Sequence, residues 1–173
     1  MQEICDRACV RKGSFYHFFP SKRDLTLAML DQFQAFFHNE ILQRAFATDI
    51  PPLQRISRFF DYAADFQQQM KQDTGQMPGC PFGNIACEMS TRDEAIRLKV
   101  EQIIRDAENP FEQALAEAVE NGDLPEMDTA ATARALFAYV EGIMVYAKTH
   151  NDPDMVRELG KRALQLVVPE RLV

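Results

Sequence analysis

Apolar residues recur at three- and four-residue intervals along most of the chain, and no segment alternates with a period of two. That spacing predicts helices throughout and an all-α fold. A short helix is predicted over about 2–8, with Ile4, Cys5 and Ala8 on one side, and a turn at Cys9-Val10 leads to a second over about 12–19. Pro20 breaks the chain. Ser21 then has the chemistry of an N-cap, with Asp24 three residues on, for a long helix over about 22–47. Pro51 and Pro52 suit the first turn of a helix running to about 73, and TGQMPGCP, 74–81, has loop chemistry. A short apolar helix is predicted over 83–90. Thr91 and Glu94 have capping-box spacing for the next helix, with a kink or restart at Asn109-Pro110 and an end at Gly122. Asp128 caps a helix to about 149, and Asp152-Pro153 opens a last one to about 167.

Two short helices joined by a tight turn describe a helix-turn-helix, whose second helix meets base edges in the DNA major groove. RKGSFYHFFPSK, 11–22, fits that role. Phe15 and Phe19 are four apart and face inward together, which leaves Lys12, Tyr16 and His17 on or beside the outward face. Gly13 and Ser14 open the helix, where small residues let backbone approach DNA. Lys22 opens the following helix, where free N–H groups and an ammonium together hold a phosphate.

The segment QEICDRACVRKGSFYHFFPSKRDL resembles the DNA-binding signature of the tetracycline-repressor (TetR) family of bacterial regulators. Ile4, Ala8, Val10, Gly13, Ser14, Phe15, Tyr16, Phe19, Ser21, Lys22 and Leu25 stand in register with it. The resemblance implies that Arg11, Lys12, Ser14 and His17 read bases or nearby phosphates, and that Tyr16 and Lys22 hold the backbone. Three departures stand out. Cys9 occupies the usual turn glycine, a position that often takes positive φ. Phe18 replaces a phosphate-contacting His or Tyr. The family also has a helix ahead of the first one here, so the expected organisation is a partial helix-turn-helix domain, 1–24, lacking its first helix, and a ligand-binding and dimerisation domain, 25–173. A truncated chain, a misassigned start and a degenerate regulator all fit that departure.

Charge agrees with a DNA-facing end. The net charge is −7. Residues 1–24 hold five Lys and Arg against three Asp and Glu, a surplus of two, so the remainder carries −9. No apolar run reaches membrane-span length and no secretory signal opens the chain, which points to a cytoplasmic protein without a membrane partner. The family resemblance implies a homodimer that binds a palindromic double-stranded DNA operator, most often as a repressor, and is released by a small-molecule effector. The alternative is a helical dimer that binds a ligand but no DNA.

For the body, Phe59, Tyr62, Phe66 and Met70 form one helical stripe. The stripe fits core or pocket lining alike. The candidate pocket set is Phe59, Tyr62, Phe66, Met70, Cys80, Cys87, Phe137 and Met144. Leu136, Val140, Ile143 and Ala147, with Leu159, Ala163 and Leu166, have the i, i+4, i+7 spacing of a helix-pair interface or of intramolecular core. The resemblance implies a dimer interface there. Cys80 precedes a predicted helix, where a thiol pKa can fall and reactivity rise, as in family members that sense electrophiles through a similar Gly-Cys segment. The competing reading makes Cys80 and Cys87 small buried apolar residues. His17, His38 and His150 are scattered, and no metal cluster, phosphate loop or acid–base constellation stands out, so neither a cofactor nor an enzymatic activity is expected.

Overall fold

The computed structural model describes residues 2–167, and every element among them is helical. In chain order these are α1 (Gln2–Arg7), α2 (Lys12–Phe18), α3 (Lys22–Phe36), a π-helical segment (Phe37–Leu42), α4 (Gln43–Ala45), α5 (Pro52–Thr74), α6 (Pro81–Met89), α7 (Glu94–Glu120), α8 (Thr129–His150) and α9 (Asp154–Val167). Local chemistry explains most boundaries. Ser21 Oγ accepts from the Asp24 N–H at 3.2 Å and donates to Asp24 Oδ2 at 2.7 Å, which fixes the start of α3. Asp128 Oδ1 accepts from the Ala131 N–H at 2.9 Å and starts α8.

Three boundaries depart from the sequence expectation. The cap of α7 is Asp93 rather than Thr91. Its Oδ1 accepts from Ala95 and Ile96, while its Oδ2 takes Arg23 Nε at 2.5 Å, so one carboxylate serves the helix start and an ion pair together. That pairing holds the Asp93 carboxyl below its usual range. Second, α7 runs without a restart through Pro110. The missing backbone hydrogen bond is outweighed because Ile103, Ala107, Phe111, Ala114 and Ala118 form one buried stripe across it. Third, the long helix after Ser21 changes pitch at Phe37. The Gln43 N–H donates to the His38 carbonyl, five residues back, before α-helical bonding resumes.

The main core lies between α5, α7, α8 and α9. Phe111 and Phe59 meet edge to face with centroids 4.9 Å apart, and Phe46 closes on Phe111 at 4.8 Å. A smaller cluster joins Leu30 of α3 to Phe82 of α6 and Ile96, Val100 and Ile103 of α7. Phe37 packs against both, with its ring 6.3 Å from Phe59 and 5.7 Å from Phe82. Polar contacts fasten the edges. Arg55 is buried and grips Glu117 with both terminal nitrogens, at 2.5 and 3.0 Å, and Arg58 ties Ala45 O, Ala47 O and Asp49.

Helix α9 packs on α5 and α8 with Val156, Gly160 and Ala163 buried, and Gly160 faces Phe60 of α5. A Cβ at Gly160 would stand 2.4 Å from Phe60 Cγ, and Phe60 is itself buried. Arg157 bonds Asp61 at 3.1 Å and Asp65 at 2.5 Å beside this contact. Gly160→Ala therefore overpacks the α5–α9 interface and costs about 1–3 kcal/mol, against the small gain in helix propensity an alanine normally brings. Urea unfolding of the two proteins measures the difference. An unchanged or raised midpoint would contradict this packing.

Candidate functional site

Two regions bring chemistry together. The first is the surface formed by α2 and the start of α3. Phe15 is buried, Phe19 is half-buried, and their rings lie 5.6 Å apart, so the inward pair predicted from spacing holds α2 down. Arg11, Lys12, Gly13, Ser14, Tyr16, His17 and Lys22 are all exposed. Lys22 is the first residue of α3, beside N–H groups that have no intrahelical acceptor. The turn before α2 does what the Cys9 substitution forewarned. Cys9 has φ of 54°, so a residue with a Cβ sits in the left-handed region. Cys5 takes the buried position in α1, while Ile4, and Ala8 just after the helix, remain exposed.

The second region is a cavity of about 150 Å³ lined by α3, the π-helical segment, α5, α6 and α8. Six of the eight predicted pocket residues line it: Phe59, Phe66, Met70, Cys80, Phe137 and Met144. Two do not. Tyr62 turns away and stacks under the Arg44 guanidinium, 4.9 Å from its ring centre, which gives its face a cationic partner outside the cavity. Cys87 is exposed on the outer side of α6. The sequence reading missed Phe33, Phe36, Phe37 and Ile41, because their stripe belongs to the helix that leaves the DNA-facing end. It also missed Phe82 and Glu141. A glutamate at position 141 between Val140 and Gly142 on an apolar helix was the available signal.

The cavity's polar groups are mostly committed. Gln67 accepts from the Gly79 N–H at 3.1 Å and donates to the Gly79 carbonyl at 3.2 Å, clamping the loop before α6. Gly79 has φ of 72°, and a Cβ there would press on Lys148 Cδ at 3.1 Å, so glycine suits this position twice over. Cys80 caps α6, its Sγ accepting from the Gly83 N–H at 3.5 Å. The surroundings of this thiol oppose activation and favour the unreactive one of its two readings. Burial, and then the neighbouring Glu141 carboxyl, push the Cys80 pKa far up, outweighing the two backbone N–H groups that favour the thiolate.

The interface assignment is corrected as well. Leu136, Val140, Ile143 and Ala147 of α8, and Ala163 of α9, are buried within the single chain and have no surface left for a partner. Leu159 packs against the same core, and Tyr139 Oη donates to its carbonyl at 3.1 Å. Only Leu166 of that set is well exposed. The i, i+4, i+7 stripe is thus the intramolecular core, the other reading its spacing allowed. The opposite face of α8 leaves Ala135, Ala138, Gly142, Val145 and Tyr146 exposed.

Comparison with known proteins matches this architecture at both ends. Residues 1–29 match the family described as bacterial regulatory proteins, tetR family, and residues 52–162 match the tetracyclin repressor-like C-terminal domain. An uncharacterized HTH-type transcriptional regulator of Lactococcus lactis subsp. lactis is 28% identical over 152 residues, covering 88% of this chain and 74% of that protein. Transcriptional regulator AcuR of Cereibacter sphaeroides is 29% identical over 155 residues, covering 89% and 69%. The crystal structure of regulatory protein TetR from Rhodobacter sphaeroides superposes with a TM-score of 0.82 at 28% identity, over 95% of this chain and 85% of that one. Reduced NemR of E. coli, at 24% identity, shares the fold with a TM-score of 0.80 over 95% and 84%. With a helix-turn-helix surface at one end and a helical body of matching sequence at the other, the chain belongs to the TetR family of bacterial transcriptional regulators.

Proposed function

We propose that this regulator binds a pseudo-palindromic double-stranded DNA operator as a homodimer, represses transcription there, and is released when a small molecule enters the cavity. It acts by binding rather than by catalysis. Residues 1–24 supply the DNA contacts described above, and 25–173 form the body that dimerises and holds the effector. One observation carries the reading: α3 begins at Lys22 on the DNA-facing surface and reaches the cavity wall at Phe33 and Phe36. At about 1.5 Å per residue, that is roughly 16 Å of continuous helix between a phosphate contact and a ligand contact. An effector that favours one position of α3 thereby favours one placement of the recognition helix.

The pairing surface we assign is the outer face of α8, with Leu166 of α9. Helix α8 is apolar on both sides: one side fills the core and the other exposes Ala135, Ala138, Gly142, Val145 and Tyr146. An exposed apolar face of this kind is a surface that a partner covers. Small residues at Ala138 and Gly142 permit a second α8 to approach closely, and nothing stands within 4 Å of a Cβ built on Gly142. Symmetric pairing of this face places two recognition helices on one side of the duplex, about one helical turn apart.

Each surface has its own test. Lys22→Ala weakens binding to every DNA sequence and shallows the salt slope by about one for each phosphate no longer neutralised, whereas Lys12→Ala costs about 1–3 kcal/mol and relaxes sequence preference. Fluorescence anisotropy across a salt series separates them, and an unchanged slope for Lys22→Ala would contradict the assigned docking. Ala138→Glu places a charge at the centre of the α8 face. Analytical ultracentrifugation should then show a monomer with unchanged helicity, while Leu136→Glu should unfold the chain instead. A fully dimeric Ala138→Glu protein would show that the interface lies elsewhere.

A further inference from the structure

The cavity's lining carries a single carboxyl group, Glu141, and no basic group among the described residues. Seven phenylalanines, two methionines and several small apolar groups form most of the wall. No lysine, arginine or histidine lines it among the described residues; Glu141 is the sole ionisable acid apart from the Cys80 thiol. The nearby ammonium of Lys148 is engaged with Asn84 Oδ1 at 2.8 Å, and Asn84 Nδ2 donates to Pro78 O at 2.9 Å. Gln67 is spent on Gly79. Glu141 is different. Its Oε1 is buried and has no hydrogen-bond partner. Its Oε2 packs against the first turn of α6, where a Cβ on Gly83 would stand 2.2 Å away, so glycine at 83 leaves the room the carboxyl occupies.

We infer that the effector is a small aromatic or aliphatic organic cation, a protonated amine with one apolar arm, whose ammonium pairs with Glu141 Oε1 while its body lies among the phenylalanines. This assignment rests on the cavity being the effector site. A buried carboxylate oxygen without a partner is costly, and a cation supplies both the missing hydrogen bond and the missing counter-charge. The negative faces of aromatic rings attract the same charge, most strongly where water is excluded. Burial raises the Glu141 pKa against the opposing hydrogen bond from the Cys80 thiol, and a bound cation restores the charged form. An anionic ligand finds no positive group in the wall to offset its desolvation. A neutral alcohol of the same shape satisfies the lone pair but leaves the charge unpaired. The volume, about 150 Å³, suits a single ring, since an engineered apolar cavity of that size accommodates benzene.

Isothermal titration with benzylammonium, benzyl alcohol and benzoate, three probes of one shape and different charge, tests the assignment at matched ionic strength. Benzylammonium should bind at least tenfold more tightly than benzyl alcohol, and benzoate should not bind. Glu141→Gln, with circular dichroism confirming the fold, should reduce that preference to threefold or less while leaving alcohol binding in place. Ala63→Leu, which fills the cavity, should weaken all binding. Equal or tighter binding of the alcohol or of benzoate overturns the inference, as does a preference that survives Glu141→Gln. If the alcohol binds wild type and Glu141→Gln alike and releases the operator, the cavity remains the effector site and the cation assignment falls. If none of the probes binds, the cation assignment falls.

Discussion

The structure depends on where Phe37 sits. Its ring meets Phe59 of the main core edge-on and Phe82 of the smaller cluster on its other side. It is therefore the side chain through which α3, descending from the DNA-facing surface, is held to α5 and α6 together. Phe37 also opens the π-helical turn, where one additional residue enters the helix and redirects the side chains that follow. Ile41 and Leu42 within that turn are both buried in the main core.

That constraint explains why the cavity lies where it does. Phe33, Phe36 and Phe37 close one side while α5 and α8 supply the other, and α6 forms the end wall with Cys80 as its cap. A second seam runs alongside. Arg23 reaches Asp93 at the start of α7, Lys99 reaches Asp31 at 2.5 Å and Gln34 at 3.0 Å, and Gln34 reaches Asp106. Exposed pairs of this kind contribute little stability each, but four polar contacts along one helix fix its register against α7. A shift of α3 then exchanges a set of contacts as a unit, as a switching element requires.

Much of this was legible in sequence. The helices follow from apolar spacing, Ser21 and Asp128 from capping chemistry, and the inward pair Phe15 and Phe19 from a four-residue interval. What failed did so for physical reasons. Pro110 reads as a break because propensity is local, whereas the stripe that carries α7 through it is tertiary. The π turn has no signature in a periodicity that assumes one pitch. Leu136, Val140, Ile143 and Ala147 have the right spacing for an interface, but a stripe reports only that a face is covered, not by what. The spacing of α8 marked its more regular apolar face, which is core, and passed over the small residues opposite. Cys80 was placed correctly at a helix start. Burial dominates the thiol's surroundings there, and Glu141, sixty-one positions away in the sequence and adjacent in space, adds to it.

In the proposed function, α3 and the π turn transmit between the DNA-facing surface and the cavity. Hydrogen–deuterium exchange with and without operator DNA tests it most directly, because no effector is needed. Operator binding should change protection of residues 33–42, at the cavity wall, as well as at α2 and the start of α3. Changes confined to the first 29 residues, with 33–42 exchanging identically in both states, would contradict it.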